Sequence, residues 1–230
     1  IVSELEKLIS IDSPTGFTKA AADYTVERLK ELGYAPEKTN KGCVLCCLGG
    51  EDDPVVFSAH LDTLGGMVAE VKGNGRLRLT RIGGMNPNNA ECENARVYTR
   101  GGKLYEGCFQ MNDPSVHVNG DYSKQERNWD SMELVLDEMV TSRKETEGLG
   151  IATGDYVCFD PRFRVTESGY IKSRFLDDKL SVAILLGYAL CSRTVVGLHS
   201  RRIPDTDTTV LSFLLEHSPY IRNVVPAPEL

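Results

Sequence analysis

The chain has 230 residues, 26 of them Lys or Arg and 33 Asp or Glu, for a formal net charge of −7 at pH 7. That balance excludes a polybasic nucleic-acid binder as the default reading, since phosphate neutralisation needs surplus cations. With 41% hydrophobic and 26% charged residues, the composition argues against disorder and leaves apolar surface for a core. No apolar run approaches the ~20 residues that span a bilayer, and Ile1-Val2-Ser3-Glu4 lacks a basic region followed by an apolar stretch. The expectation is a soluble, unsecreted, cytoplasmic chain, with no membrane or nucleic-acid partner. Its start without Met reads as trimmed, or as that of a fragment.

In chain order, Val2, Leu5, Leu8 and Ile9 fall at helical spacing and stop at Asp12-Ser13-Pro14-Thr15-Gly16. A second helix is predicted from Thr18 to Leu32, with Ala22, Thr25, Val26 and Leu29 on one face and Gly33 as a left-handed cap. Cys43–Leu48 and Val55–Ala59 read as short buried strands. Helix, helix, strand, strand suits an α/β layer with its central strands covered on both faces.

From about Gly66 the texture changes. Met67–Val71 with Leu77–Ile82, and Ala95–Thr99 with Leu104–Phe109, flank glycine-bearing turns and predict β-hairpins. Glu133–Leu136 and Tyr156–Phe159 add strands, Ser142 and Glu145 form a capping box, and Asn112–Asp130 reads as a long polar loop. Such a run describes a small β-barrel or sandwich inserted into the layer. Helical periodicity returns over Phe175–Tyr188, with Leu180, Ala183, Ile184 and Gly187 on one face.

The seven cysteines, an odd number in mostly apolar surroundings, fit reduced cytosolic thiols. Cys43 and Cys46 have the gap of a zinc motif, but no second pair follows, so a buried strand is the simpler reading. Two other clusters carry chemistry. His60 and Asp62 follow a predicted strand, where open α/β sheets place their sites. Imidazole is the commonest ligand for a zinc-like ion, and a nearby carboxylate fixes its tautomer. Asp177-Asp178 offers adjacent carboxylates at the start of a helix, a poor choice for packing and a good one for cations. Taken singly, the first pair also suits an ordinary strand-to-loop turn and the second an acidic first turn. Together they favour a metal site.

With Ser13-Pro14-Thr15-Gly16-Phe17, Ala59-His60-Leu61-Asp62, the inserted β module, Leu149-Gly150-Ile151-Ala152-Thr153-Gly154-Asp155 and Asp177-Asp178-Lys179-Leu180, the chain resembles the M42 metallo-aminopeptidases, the glutamyl and tetrahedral aminopeptidase group. The resemblance spans Ile1 to Tyr188. It implies a zinc-exopeptidase-like α/β layer, here incomplete, interrupted by a small β-barrel dimerisation domain. Residues 1–65 and 169–190 would form the layer, 66–168 the insert and 191–230 an aberrant or truncated tail. The implied activity is removal of N-terminal residues from peptide substrates by water activated on two divalent metal ions, zinc or cobalt. His60 would ligate one ion, Asp177 would bridge both, and Asp62 would be the catalytic-site residue that orients His60. A homo-oligomer built through the insert is expected.

The family's paired glutamates, with a further acidic ligand and a late His, are not recognisable after Leu190. The tail uses Arg without Lys, a pattern a frameshift or truncated gene model would give. His117, His199, Glu216 and His217 read as loop or helix-end residues. The competing reading is therefore a catalytically inactive remnant that keeps the dimerising insert, with apolar sheet surface left exposed by absent strands. A deacylase or carboxypeptidase is disfavoured by the position of the insert. An endoglucanase is disfavoured because the single Trp, Trp129, lies in a polar loop.

Overall fold

The computed structural model describes residues 1–49 and 55–196. Helices α1 (Val2–Ser10) and α2 (Lys19–Glu31) open the chain, followed by a ribbon of β1 (Glu37–Lys38) and β2 (Val44–Leu45). Strands β3 (Gly65–Val71), β4 (Leu77–Ile82), β5 (Glu93–Tyr98), β6 (Leu104–Met111) and β7 (Met132–Leu136) come next, then α3 (Arg143–Gly148) and β8 (Tyr156–Phe159). A second ribbon, β9 (Arg164–Val165) with β10 (Ile171–Lys172), leads into α4 (Leu176–Val196).

Six strands close into an antiparallel barrel in the order β3-β4-β7-β6-β5-β8, sealed where Gly66 and Met67 of β3 pair with Val157 and Tyr156 of β8. Closure removes the sheet edges that would otherwise template aggregation. Alternate residues point inward, so Val68, Leu77, Leu79, Val97, Phe109, Leu134, Val157 and Phe159 form one core. Both predicted hairpins are present, β3 with β4 and β5 with β6. The turn between β3 and β4 needs glycine, because Gly75 sits at φ +83°. Trp129 lies in the loop between β6 and β7, as expected, and its ring packs against the barrel core, its centroid 5.5 Å from that of Phe109.

The second core is helical: Leu5, Leu8 and Ile9 of α1, Leu29 and Leu32 around the end of α2, and Val182, Ala183, Leu186 and Ala189 of α4. Phe163 and Ile171, beside and within the second ribbon, pack against it too. Of the expected α4 face Ala183 and Gly187 are buried and Leu180 and Ile184 partly so, with Lys179, Val182 and Leu186 buried beside them. Lys179 is 1% exposed, and its ammonium turns inward to the end of α1.

Two expected strands are not formed as read. Of Cys43–Leu48 only Val44–Leu45 pairs, on a ribbon whose residues are exposed or half-buried. Val55–Ala59 is irregular, and Val55, Val56 and Phe57 are 71%, 82% and 66% exposed. An apolar run is stable as a buried strand only where neighbours pair its backbone and cover both faces. Among the described residues, no strand lies beside it. At the expected capping box Ser142 Oγ accepts from the Glu145 N–H, and the Glu145 carboxylate turns back to accept from the N–H of Thr141. The residues expected to form an aberrant tail enter α4 as far as 196, and His199, Glu216 and His217 lie outside the described residues. Among the described residues no helix is long and apolar enough to cross a membrane.

Candidate metal centre

His60 and Asp177 are 117 positions apart and meet side by side, with His60 Nε2 3.1 Å from Asp177 Oδ1. The other ring nitrogen, Nδ1, lies 3.1 Å from the Asp62 carbonyl oxygen and 3.2 Å from Asp62 Oδ1. Both nitrogens thus face oxygen acceptors. A neutral imidazole carries one N–H, so one of its nitrogens must present a lone pair to an oxygen lone pair unless a proton or a cation lies between. Burial pulls the His60 pKa down, but the backbone oxygen and carboxylate of Asp62, then Asp177 and Asp178, outweigh it and raise the value overall. These oxygens favour the charged form of His60.

Neither group is sequestered, since His60 and Asp177 are both exposed. Asp177 and Asp178 are non-helical residues at the start of α4, joined by a cis peptide, and Asp178 adds charge near His60. Two ligands of a tetrahedral ion at about 2.0–2.1 Å stand roughly 3.3–3.4 Å apart. The 3.1 Å nitrogen–oxygen spacing is a hydrogen-bond distance, a few tenths of an ångström short of that separation. Among the described residues, no group of three or more His, Cys, Asp or Glu side chains gathers as a metal cluster. His60 and Asp177 are two potential donor groups brought side by side.

The loop before α2 holds this arrangement from behind. Thr63 N–H donates to Ser13 O and Thr15 N–H to Thr63 O, so Ser13–Thr15 runs alongside Leu61–Thr63. Ser13 Oγ donates to Leu61 O at 2.7 Å and Thr15 Oγ1 to Asp62 Oδ2 at 2.6 Å. Asp12 accepts two hydrogen bonds from Arg96, at 2.6 and 2.7 Å, and one from Tyr98 at 2.8 Å, which ties the loop to β5. On the other side of Asp177, Arg174 donates to the buried Glu93 carboxylate and to Asp160 O, fixing the chain leading into α4 on the barrel. Sequence reasoning assigned no role to Ser13, Thr15, Asp12 or Lys179, although the Ser13–Phe17 run itself stood out. A cleft of about 470 Å³ on the barrel, lined by Glu70, Arg143, Glu147 and Thr153 among others, shares no residue with this centre.

The sequence profile of the M42 glutamyl aminopeptidase family matches residues 42–194. The chain belongs to this family. The putative aminopeptidase YhfE of Bacillus subtilis is 47% identical over 184 residues, covering 79% of this chain and 53% of that protein. Among solved structures, the TET aminopeptidase of a marine-sediment Thaumarchaeota archaeon superposes with a TM-score of 0.74 at 21% identity, covering 84% of this chain and 54% of that one. The TET1 peptidase of Pyrococcus horikoshii superposes with a TM-score of 0.69 at 24% identity, covering 81% and 54%. At such identities the two structures establish a shared fold. The chain spans about half the length of the curated relatives it matches.

Proposed function

We propose that this M42 family member serves a cytoplasmic, metal-dependent aminopeptidase reaction on peptides, with His60 and Asp177 as metal ligands and Asp62 as the residue that orients His60. The observation that carries the reading is the imidazole of His60 with oxygen acceptors on both ring nitrogens. Asp62 holds the proton on Nδ1 and so directs the Nε2 lone pair toward Asp177. Asp177 has a second carboxylate oxygen, which suits it to a bridging role between two ions. When bound, two divalent ions, zinc or cobalt, would acidify a water to a nucleophile near neutral pH and polarise the scissile carbonyl. The exposure of His60 and Asp177 leaves the pair within reach of a peptide N-terminus. Self-association through the barrel is part of the proposal, supported by a relative described as assembling into a tetrahedron or a large octahedral shell.

A second reading, a non-catalytic remnant that keeps the associating barrel, is favoured by one observation: the pair provides two donors, whereas a catalytic zinc takes three protein ligands and a water. Zinc or cobalt titrated into the purified chain, followed by a chromogenic amino-acyl anilide assay and light scattering, separates the two. Hydrolysis that EDTA abolishes and that His60→Ala lacks supports the aminopeptidase. Metal binding and dimers without hydrolysis favour the remnant, and a monomer that binds no metal removes both.

A further inference from the structure

We propose that Thr15 is a positioning residue for the metal pair: its hydroxyl donates to Asp62 Oδ2 at 2.6 Å and so holds Asp62, whose backbone oxygen lies 3.1 Å and whose other carboxylate oxygen lies 3.2 Å from His60 Nδ1, leaving Nε2 to face Asp177. The inference rests on the reading of His60 and Asp177 as metal ligands. A histidine ligand binds well only when its second nitrogen is held, and the group that holds it must itself be held. A carboxylate has two oxygens and rotates about its terminal bond. With Oδ1 at the imidazole, a donor on Oδ2 is what stops that rotation, and Thr15 supplies it. Thr15 is exposed, so its side chain does not fill the core.

The position of Thr15 is set by both halves of the fold. On the layer side, its N–H donates to Thr63 O, placing the hydroxyl beside the 60–62 segment. On the barrel side, Gly16 sits at φ +93°, and a Cβ there would lie 2.6 Å from the Tyr156 hydroxyl, so only glycine lets the loop approach so closely. Phe17 then lies between two barrel tyrosines, with ring centroids 4.9 Å from Tyr98 and 5.0 Å from Tyr156. Ser13–Phe17 is thus a strut whose anchored end is on the barrel and whose working end is the Thr15 hydroxyl. The barrel contributes to the metal pair through this strut without lending it a ligand.

The test measures affinity for Co²⁺ and Zn²⁺ by competition with a chromophoric chelator, on the full chain, for wild type, His60→Ala, Thr15→Val and Thr15→Ser, with a thermal melt of each metal-free protein. Thr15→Val keeps the shape and removes the hydroxyl; the expected result is a loss of affinity of about 10–100-fold with an unchanged melt, restored by Thr15→Ser. Wild-type affinity in Thr15→Val, with His60→Ala defective, overturns the role of Thr15 and leaves the metal reading standing. A shifted melt in Thr15→Val, or failure of Thr15→Ser to restore affinity, also overturns it, since either assigns the hydroxyl a structural role. Wild-type protein that binds neither ion, or binding that His60→Ala leaves intact, overturns the metal reading and this inference with it.

Discussion

Lys179 donates from Nζ to Ile11 O at 2.6 Å and to Leu8 O at 2.8 Å, so a buried ammonium closes the carboxyl end of α1. The last carbonyls of a helix lack intrahelical donors and carry the negative end of its dipole, which makes this a favourable place for a cation. Burial nevertheless lowers the Lys179 pKa to about 8, against the opposing pull of Asp12. Replacing Lys179 by Met keeps most of the volume and strips the donor from two carbonyl oxygens. The expected cost is about 2 kcal/mol, a fall in Tm of roughly 4–8 °C for a chain of this size, read by thermal unfolding. An unchanged Tm would show that water or another donor replaces the ammonium there.

How far the sequence spoke for this fold depended on how local the deciding interactions are. The barrel strands were legible because alternation and glycine turns are short-range signals, and β3 to β8 formed where those signals lay. The Val55–Ala59 strand was misread because an apolar run specifies a strand only together with neighbours, which the run itself does not encode. On α4, Ala183 and Gly187 were legible as buried from periodicity, whereas Lys179 looked polar in sequence and is interior in fact. His60, Asp62 and Asp177 could be picked out by residue type and setting, and the fold brings them within hydrogen-bond distance. Thr15, Ser13 and Asp12 could not, since hydroxyls and a lone carboxylate are ordinary turn residues and only the fold brings them to partners 47, 48 and 84 positions away.

Asp12 is the covalent neighbour of that α1 cap and the counter-charge of Arg96. Two near-parallel hydrogen bonds form a fork, and the Tyr98 hydroxyl adds a third. Asp12 and Arg96 are largely buried, at 8% and 24% side-chain exposure, so removing one leaves the other short of a partner away from water. Asp12→Ala should cost about 3 kcal/mol, read as a lower urea midpoint. The double variant with Arg96→Met should lose less than the two single changes summed, because the stranded guanidinium is gone. Strict additivity in that cycle would mean the fork contributes no coupling between loop and barrel.

Glu4 links α1 to α2 by accepting from the Tyr24 hydroxyl at 2.7 Å and from Arg28 Nε at 2.7 Å. Burial raises its pKa, but the hydrogen bonds from Tyr24 and Arg28, with the charge of Arg28 added, outweigh that and bring it below the ordinary 4.5. A carboxyl whose folded pKa is depressed binds fewer protons folded than unfolded. Its stabilising contribution is therefore complete above the unfolded pKa and lost as pH falls through the folded one. Urea midpoints measured from about pH 6 down to pH 3 should fall more steeply for wild type than for Glu4→Gln, with the curves converging at the acid end. At neutral pH Glu4→Gln should be the less stable protein, since it keeps an acceptor for Tyr24 and loses the charge facing Arg28. Parallel curves over the whole range would show that the carboxylate titrates alike in both states and that packing alone joins the two helices.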